Sequence, residues 1–363
     1  NAPSILGKAV QNKNRLPHKV MNIQDDIYYA VAHRSDDEIK SFSSRYDNFQ
    51  ENLIPEIFKE SLGWKVTKFK RSSSWGSSHV IYFVSTADYP EQVVFRANLG
   101  VNPVPEGVME VEKLITRDVK KVGLRTNEIL YSDISRKKFP FDFQIQKKLV
   151  GKDPEVDFPG SKEDYDRLSY QIGEYVARYH SLEYPLFGRF DNNTAIKGKL
   201  QGTKPEFSQY IETCLDDDLR KLVEFGLIKS KKLTQIQEFF VENKKIMDIK
   251  QGVLNHHDLA DHNLMFDEKG LVGLFDWEAA VIGDPVLDLA SCPTWRTIYP
   301  REEQLLAGYA SIRTLPELFL EKKAVYMLRT MIWKAVYAVR MDIMTPGRMQ
   351  KFHDSLLMAG IDH

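Results

Sequence analysis

His256-His257-Asp258-Leu259-Ala260-Asp261-His262-Asn263, followed by Leu274-Phe275-Asp276-Trp277-Glu278, is the pair of segments on which the reading of this chain turns. Each stands beside a short apolar run: Gly252–Asn255 precedes the first, and Leu264–Phe266 and Val272–Phe275 between them read as the two strands of a small hairpin. A lone H-x-D most often only makes a turn, because such side chains hydrogen-bond to their own backbone. Two motifs at this spacing ask for more. Asp258 and Asn263 lie five apart across a polar loop, and Asp276 follows 18 residues after Asp258, on the far side of a hairpin that folds it back. One cleft can then collect two carboxylates and an amide. Phosphoryl transfer needs such a set: a carboxylate beside the attacking hydroxyl and two oxygen-bearing side chains that hold Mg2+ against the phosphates. Mg2+ prefers oxygen ligands and keeps several waters, so one carboxylate and one amide carbonyl suffice. Three histidines in the octet also raise zinc, but adjacent His256 and His257 point apart on an extended backbone, which is poor geometry for a tetrahedral site.

Upstream of these motifs the chain is rich in strands. Apolar positions at helical spacing from Asp47 to Leu62 predict an amphipathic helix ended by Gly63. Val66–Lys70, His79–Ser85 and Gln92–Ala97 then read as strands, with a polar turn at Arg71–Ser78. A helix at Val108–Val122 and strands at Glu128–Tyr131 and Phe141–Lys147 follow. After Gly151 the character changes: Tyr165–Leu182, Lys204–Phe225 and Leu233–Asn243 read as helices, and so does the stretch from Glu302 onward. A β-rich front joined to a helical rear is an α+β, two-lobed layout. The division expected is an extension at 1–40, a nucleotide-covering front lobe at 41–147 and a catalytic, substrate-binding rear lobe at 148–363.

These residues resemble the phosphotransferase enzyme family, which includes aminoglycoside phosphotransferases, choline kinases and related small-molecule kinases. His256-His257-Asp258 through Asn263 is similar to that family's H-G-D-x-x-x-x-N loop, and Asp276-Trp277-Glu278 to its metal-binding element. Gly283-Asp284-Pro285 with Asp288-Leu289-Ala290 matches its G-D-P-x-x-D-L-A pattern, and Ile172 to His180 is similar to its G-x-x-L-A-x-L-H helix. The resemblance runs from about residue 60 to about residue 340 and is most specific over 255–290. It implies a protein-kinase-like fold with ATP, or GTP in its place, and Mg2+. It implies Asp258 as the base that orients the acceptor hydroxyl and takes its proton, with Asn263 and Asp276 on the metal and His256 supporting the loop.

The front lobe departs from that pattern. A kinase supplies a strand lysine paired with a helix glutamate to hold the α and β phosphates. Here Val93-Val94-Phe95 ends in Arg96, and Glu112 stands sixteen residues on, with Glu110 as the nearer competitor of poorer spacing. Arg96 is expected as the phosphate-binding cation and Glu112 as its partner, although arginine is bulkier and seeks bidentate geometry. The phosphate-covering loop, Ser72 to Ser78, has only Gly76 to let backbone N–H groups come close, with Ser74 and Ser77 beside it. By analogy with the family, the adenine would lie against the link at Gln146–Leu149, at Lys147 and Leu149 in particular.

Bulk properties set the outer limits. The chain has 363 residues, 28% of them charged, and a formal net charge of −1, so no global field favours nucleic acid or an anionic membrane. No apolar run is long enough to span a bilayer. Two cysteines exclude a disulfide framework and favour a reducing compartment, the cytoplasm. Residues 1–24 are basic and free of acid; that suits the tail of an organelle transit peptide, or equally a leader added before Met21. The partner expected is a small molecule bearing a hydroxyl. Asp216-Asp217-Asp218 is a candidate patch for a cationic one, though a charge run is usually a solvated face, and Met327, Met331, Trp333, Tyr337 and Met341 read as core. The rival reading is a catalytically silent, kinase-like nucleotide-binding or scaffold protein, favoured by Arg96 and the glycine-poor loop and opposed by the intact Asp258, Asn263 and Asp276. A protein kinase is disfavoured by the missing arginine between His257 and Asp258 and the missing A-P-E element, and a serine hydrolase by the lack of G-x-S-x-G. Substrate identity and oligomeric state stay open.

Overall fold

The computed structural model describes residues 32, 35–37, 44–72, 79–98, 107–152, 154, 160–291 and 302–361. Ser74, Gly76 and Ser77 of the expected phosphate loop lie outside the described residues, as does the basic stretch 1–24.

The front is an antiparallel sheet flanked by two helices. Helix α1 (Ile54–Leu62) ends at Gly63, whose φ of +70° is left-handed backbone that glycine adopts without strain. Strands β1 (Val66–Arg71), β2 (Val80–Thr86) and β3 (Val93–Asn98) come next, followed by helix α2 (Val108–Lys121), β4 (Glu128–Asp133) and β5 (Asp142–Lys147), in the spatial order β1-β2-β3-β5-β4. Alternation decides which side chains meet. Val80, Tyr82 and Val84 of β2, Val93, Phe95 and Ala97 of β3, and Phe143 and Ile145 of β5 pack with Phe49 and Phe58 in one apolar cluster. Successive strand side chains point to opposite faces, so Arg96, between Phe95 and Ala97, turns to the other face, where α2 lies. Gln144, directly opposite Arg96 in the ladder, reaches the same helix and donates from Nε2 to the Met109 carbonyl.

The rear begins with α3 (Lys162–Tyr179), started by a capping box in which Ser161 and Asp164 satisfy each other's backbone N–H groups. A second sheet of short strands follows: β6 (Glu183–Tyr184), β7 (Phe187–Phe190) and β8 (Gly202–Lys204), joined later in the chain by β9 (Gly252–Asn255) and β12 (Val281–Gly283), in the order β6-β9-β12-β7-β8. Between β9 and β12 stands the hairpin of β10 (Leu264–Asp267) and β11 (Gly270–Leu274). Besides single turns at Asn192–Ala195 and Lys244–Met247, the rear carries the helices α4 (Phe207–Ile211), α5 (Leu215–Glu224), α6 (Ser230–Glu242), α7 (Val286–Ser291), α8 (Glu302–Ala310), α9 (Phe319–Arg340) and α10 (Pro346–Met358). Side chains of the small sheet divide between two cores. Val281 joins Tyr210, Leu219, Met331 and Trp333, whereas Ile282 and Leu254 join Val176, Tyr179 and Trp277. No helix among the described residues is long and apolar enough to cross a membrane.

Two expectations need correction. Lys204–Phe225 is not one helix: it is the end of β8, then α4 and α5, broken at Cys214, where φ is +56°. Arg329 of α9 explains the break. It donates from Nε to the Ile211 carbonyl (2.7 Å) and from Nη2 to the Thr213 carbonyl (2.6 Å), the groups the interruption leaves over, and from Nη1 to Asp218 (2.9 Å). Asp218 is therefore the fully buried partner of a fully buried arginine, and the acidic run is neither an open patch nor a solvated face at that residue. Asp217 and Asp216 bond instead to Arg220 and Gln237. The second correction is one of omission: periodicity had named only one apolar run, Gly252–Asn255, among the five strands of the small sheet.

Helices α3 and α8 approach each other through glycine. A Cβ on Gly173 would collide with the Leu305 carbonyl, and one on Gly308 with the Tyr170 carbonyl, so the two backbones touch.

Candidate active site

Strand β9 delivers the loop His256–Asn263 at its C-terminal end, and one buried carboxylate holds the start of that loop. Asp288 of α7 accepts the backbone N–H groups of His256 (2.7 Å) and His257 (2.8 Å) and the hydroxyl of Tyr179 (2.6 Å). Although burial alone would raise it, His180 first, then the Tyr179 hydroxyl and the nearby His256 ring, hold the Asp288 carboxyl down at about 2. His257 adopts φ +64° in this arrangement, a left-handed conformation that bulky residues avoid unless their surroundings impose it.

The loop and the hairpin are clamped at one residue. His256 donates from Nε2 to the Phe275 carbonyl (3.0 Å), and the Phe275 N–H donates to the Asn263 carbonyl (3.0 Å). Both backbone groups of Phe275 are thus taken by the loop, and Asp276 comes next in the chain. Asn263 donates from Nδ2 to Asp258 twice, at its carbonyl (2.9 Å) and at Oδ2 (3.0 Å). Asp258 is close enough that its charge helps raise the Asp276 carboxyl. The structure therefore brings Asp258, Asn263 and Asp276 together. The two histidine rings go different ways: His256 lies on Trp277, with centroids 4.5 Å apart, and His257 approaches the Tyr210 hydroxyl at 3.5 Å.

Arg96 enters from the front sheet. Its Nη1 donates to both oxygens of Glu112 (3.1 and 3.0 Å), so the sixteen-residue spacing is matched by a bidentate pair. The same nitrogen lies 3.3 Å from Asp276 Oδ1, and Nη2 donates to Glu278 Oε2 at 2.5 Å. His79 Nδ1 stands 3.3 Å from that oxygen. Three carboxylates around one cation leave an excess of negative charge in a buried place. Burial works against the charge of Arg96, but Glu112, Asp276 and Glu278 outweigh it and hold the guanidinium above its ordinary value. Glu112 is pushed up by burial against the pull of Arg96, and Asp276 by burial and then by Glu278. His79, buried beside Arg96, is held well below its usual range and stays neutral. Glu110, the competing carboxylate, turns away to Ser132 and Lys113.

Asp276 tests whether this donor set suits Mg2+. Its Oδ1 is buried and accepts no hydrogen bond, φ at this residue is +67°, and its side chain is still 33% exposed. A carboxylate oxygen kept dry without a donor, in an excess of negative charge, suits a hard cation. Asn263 spends its amide nitrogen on Asp258, which directs its carbonyl oxygen elsewhere. The residues present fit the group.

Residues 72–317, more than half of the chain, match the phosphotransferase enzyme family. The chain belongs to that family. Membership carries the kinase-like architecture, and solved structures of similar fold agree. Aminoglycoside phosphotransferase APH(4)-Ia superposes with a TM-score of 0.63 at 14% identity, over 85% of this chain and 99% of its own. A thermostable mutant of it in ternary complex with AMP-PNP and hygromycin B gives 0.61 at 16% identity, over 84% and 98%. The streptomycin–ATP complex of APH(2")-IIa gives 0.58 at 15% identity, over 87% and 99%. No curated protein matches the chain in sequence.

Within this phosphotransferase-family chain, Lys147 closes β5 with its ammonium 3.3 Å from Glu128, and Leu149, half-buried, follows in the link. Glu278, His79 and Tyr179 were missed by sequence reasoning as members of the site, and Asp288 was noted only as part of a pattern. Glu278 carried a signal, since it stands only two residues after Asp276 in a segment already singled out. His79, 199 residues away in sequence, carried none.

Proposed function

We propose that this chain transfers the γ-phosphoryl group of ATP to a hydroxyl of a small molecule. The bond from the γ-phosphorus to the oxygen bridging it to ADP breaks, a bond to the acceptor oxygen forms, and the hydroxyl proton passes to Asp258. The double clamp on Phe275 is the observation that carries this reading. It fixes the residue before Asp276 to both ends of the loop that bears Asp258 and Asn263, so base and metal ligands move as one body. Asp258, with 27% of its side chain exposed and Asn263 on Oδ2, remains reachable by a substrate and holds one orientation. Asn263 and Asp276 would hold Mg2+, whose contribution is to neutralise charge developing on the phosphates. Arg96, steadied by Glu112, takes the α and β phosphates; Ser74, Gly76 and Ser77 cover them; the backbone at Lys147 and Leu149, where the lobes part, receives the adenine. Among the structures of similar fold are complexes of hygromycin B or streptomycin with ATP, ADP or an analogue, and one with gentamicin, which supports a polyhydroxylated small molecule as acceptor.

The test separates acceptor chemistry from metal binding. Transfer from labelled ATP is measured across a panel of hydroxyl compounds, and MgATP binding by calorimetry. Asp258→Ala is expected to abolish transfer and keep MgATP binding; Asp276→Ala is expected to weaken MgATP binding itself. Normal turnover by both variants would refute these roles. A second reading, a silent nucleotide-binding protein, is favoured by the engagement of both Arg96 amino groups with carboxylates, and MgATP binding without transfer to any acceptor would establish it.

A further inference from the structure

Three arginines among the described residues lie deeply buried, and two of them are fully employed. Arg329 divides its guanidinium between Asp218 and two carbonyls, and Arg96 between Glu112 and Glu278. Arg189 of β7 is the exception. It is only 7% exposed, its Nη1 is shut off from solvent with no hydrogen-bond partner, and among the described residues it has no ion pair. A buried guanidinium without a counter-charge is among the costliest arrangements a fold can keep, and its ionisation cannot be relieved by deprotonation.

The sheet puts this arginine at the catalytic end of the molecule. Arg189 stands directly opposite Val281 of β12, and Val281 directly opposite Asn255 of β9, so the three side chains share one face. Asn255 is the residue before His256. Two strand spacings separate Arg189 from it, roughly 10 Å, and an arginine side chain covers much of that distance. Both β7 and β9 run antiparallel to β12 and hence in the same direction, so the end of β9 that enters the catalytic loop is also the end at which β7 stops. Beyond it, Asn192 packs against Gly107 at the start of α2, next to the helix that carries Glu112. The shared face is the one against α4: Val281, between Arg189 and Asn255, packs in one cluster with Tyr210, and the Tyr210 hydroxyl is the neighbour of His257. Arg189 thus lies on the face of the sheet that leads, through Asn255 and Tyr210, to the start of the loop that carries Asp258.

Resting on the kinase reading above, we infer that the acceptor carries an anionic group, a carboxylate or a phosphate, and that Arg189 is its counter-ion. A guanidinium fork matches either oxyanion with two parallel hydrogen bonds. The same charge repels a polycation, so the pocket discriminates against aminoglycosides as acceptors even though the fold is shared with enzymes that bind them.

The test uses the full chain with MgAMP-PNP at saturation, so that the nucleotide site is closed to added anions. Inorganic phosphate is then titrated while the thermal midpoint is followed for wild type, Arg189→Met and Arg189→Lys. Wild type is expected to rise by about 2 °C at phosphate well above its dissociation constant, Arg189→Met to show no rise, and Arg189→Lys a partial one. The unliganded midpoint of Arg189→Met is expected to lie above that of wild type, because a buried unpaired charge has been removed. Should the methionine variant not fold, the lysine variant carries the titration. Turnover is compared on glycerol, glycerate and glycerol 3-phosphate, which separates a bare alcohol from its carboxylate and phosphate relatives. One of the two anions is expected to be the best acceptor, and Arg189→Met to lower its kcat/KM by about 100-fold. An unchanged wild-type midpoint, an equal rise in Arg189→Met, or a preference for the uncharged alcohol each overturns the inference. Failure of the kinase reading has a different signature, since MgAMP-PNP itself would then not shift the midpoint of any of the three proteins.

Discussion

Replacing Asp288 by asparagine tests the idea that the catalytic loop is held from behind rather than by its own sequence. The carboxylate accepts three strong donors, at 2.7, 2.8 and 2.6 Å, and His180 Nε2 lies 3.7 Å away. Its carboxyl is lowered from 3.8 to about 2. That difference corresponds to roughly 2 kcal/mol of folding stability, present in full above the unfolded value and lost as the pH falls from about 4 towards 2. Asparagine presents one acceptor oxygen and an NH2 group that must face a donor. The loss at neutral pH should therefore be about 3 kcal/mol, read from urea unfolding. Activity should suffer beyond this. With the His256 and His257 backbone released, Asp258 shifts relative to Asp276, and a displacement of about 1 Å lowers kcat by about 100-fold, with KM for ATP little changed because Arg96 and Glu112 lie elsewhere. Assays run well below the variant's unfolding midpoint separate the two effects. The acid limb of its stability curve should also flatten. An Asp288→Asn protein that is destabilised but turns over at the wild-type rate would refute the argument.

Other expectations follow from single contacts. Arg96→Lys offers one ammonium where a fork now joins Glu112 to Glu278, so the midpoint should fall, by about 1–3 kcal/mol in unfolding experiments, and KM for ATP should rise. Gly173→Ala forces a methyl into the Leu305 carbonyl; a loss of about 1–3 kcal/mol is expected on urea unfolding, and a neutral result would mean that the helices can part. Arg329→Met leaves Asp218 buried without its partner and two carbonyls at the α4–α5 break unsatisfied, so about 3–5 kcal/mol should be lost; the double variant with Asp218→Asn should recover much of it.

Much of the architecture could be read from the chain because its elements are locally consistent. The strands expected at His79–Ser85 and Gln92–Ala97 form at Val80–Thr86 and Val93–Asn98, and Gly63 ends α1 where a left-handed residue was needed. The helix expected at Tyr165–Leu182 forms at Lys162–Tyr179, a shift of three residues that the Ser161 capping box accounts for. The failures have a common origin in contacts between distant residues. Nothing near Cys214 announces a helix break, because the donor that stabilises it, Arg329, is more than a hundred residues away. The strands β6, β7, β8 and β12 are two to four residues long, too short for a period to register. At the site, the spacing of Asp258, Asn263 and Asp276 was legible because hairpin geometry is local. The ring of carboxylates around Arg96 draws on two segments distant from it, and only the Glu112 arm followed a recognisable interval.

The glycine crossing of α3 and α8 reaches further than packing. Side chains can absorb a small push by turning into another rotamer, whereas main chains in contact cannot. Tyr309, next to Gly308, lies 3.2 Å from His180, which follows the last residue of α3, and that last residue is Tyr179, the hydroxyl donor to Asp288. The crossing thus ties the position of α8, through Tyr309, His180 and Tyr179, to the carboxylate on which the loop rests.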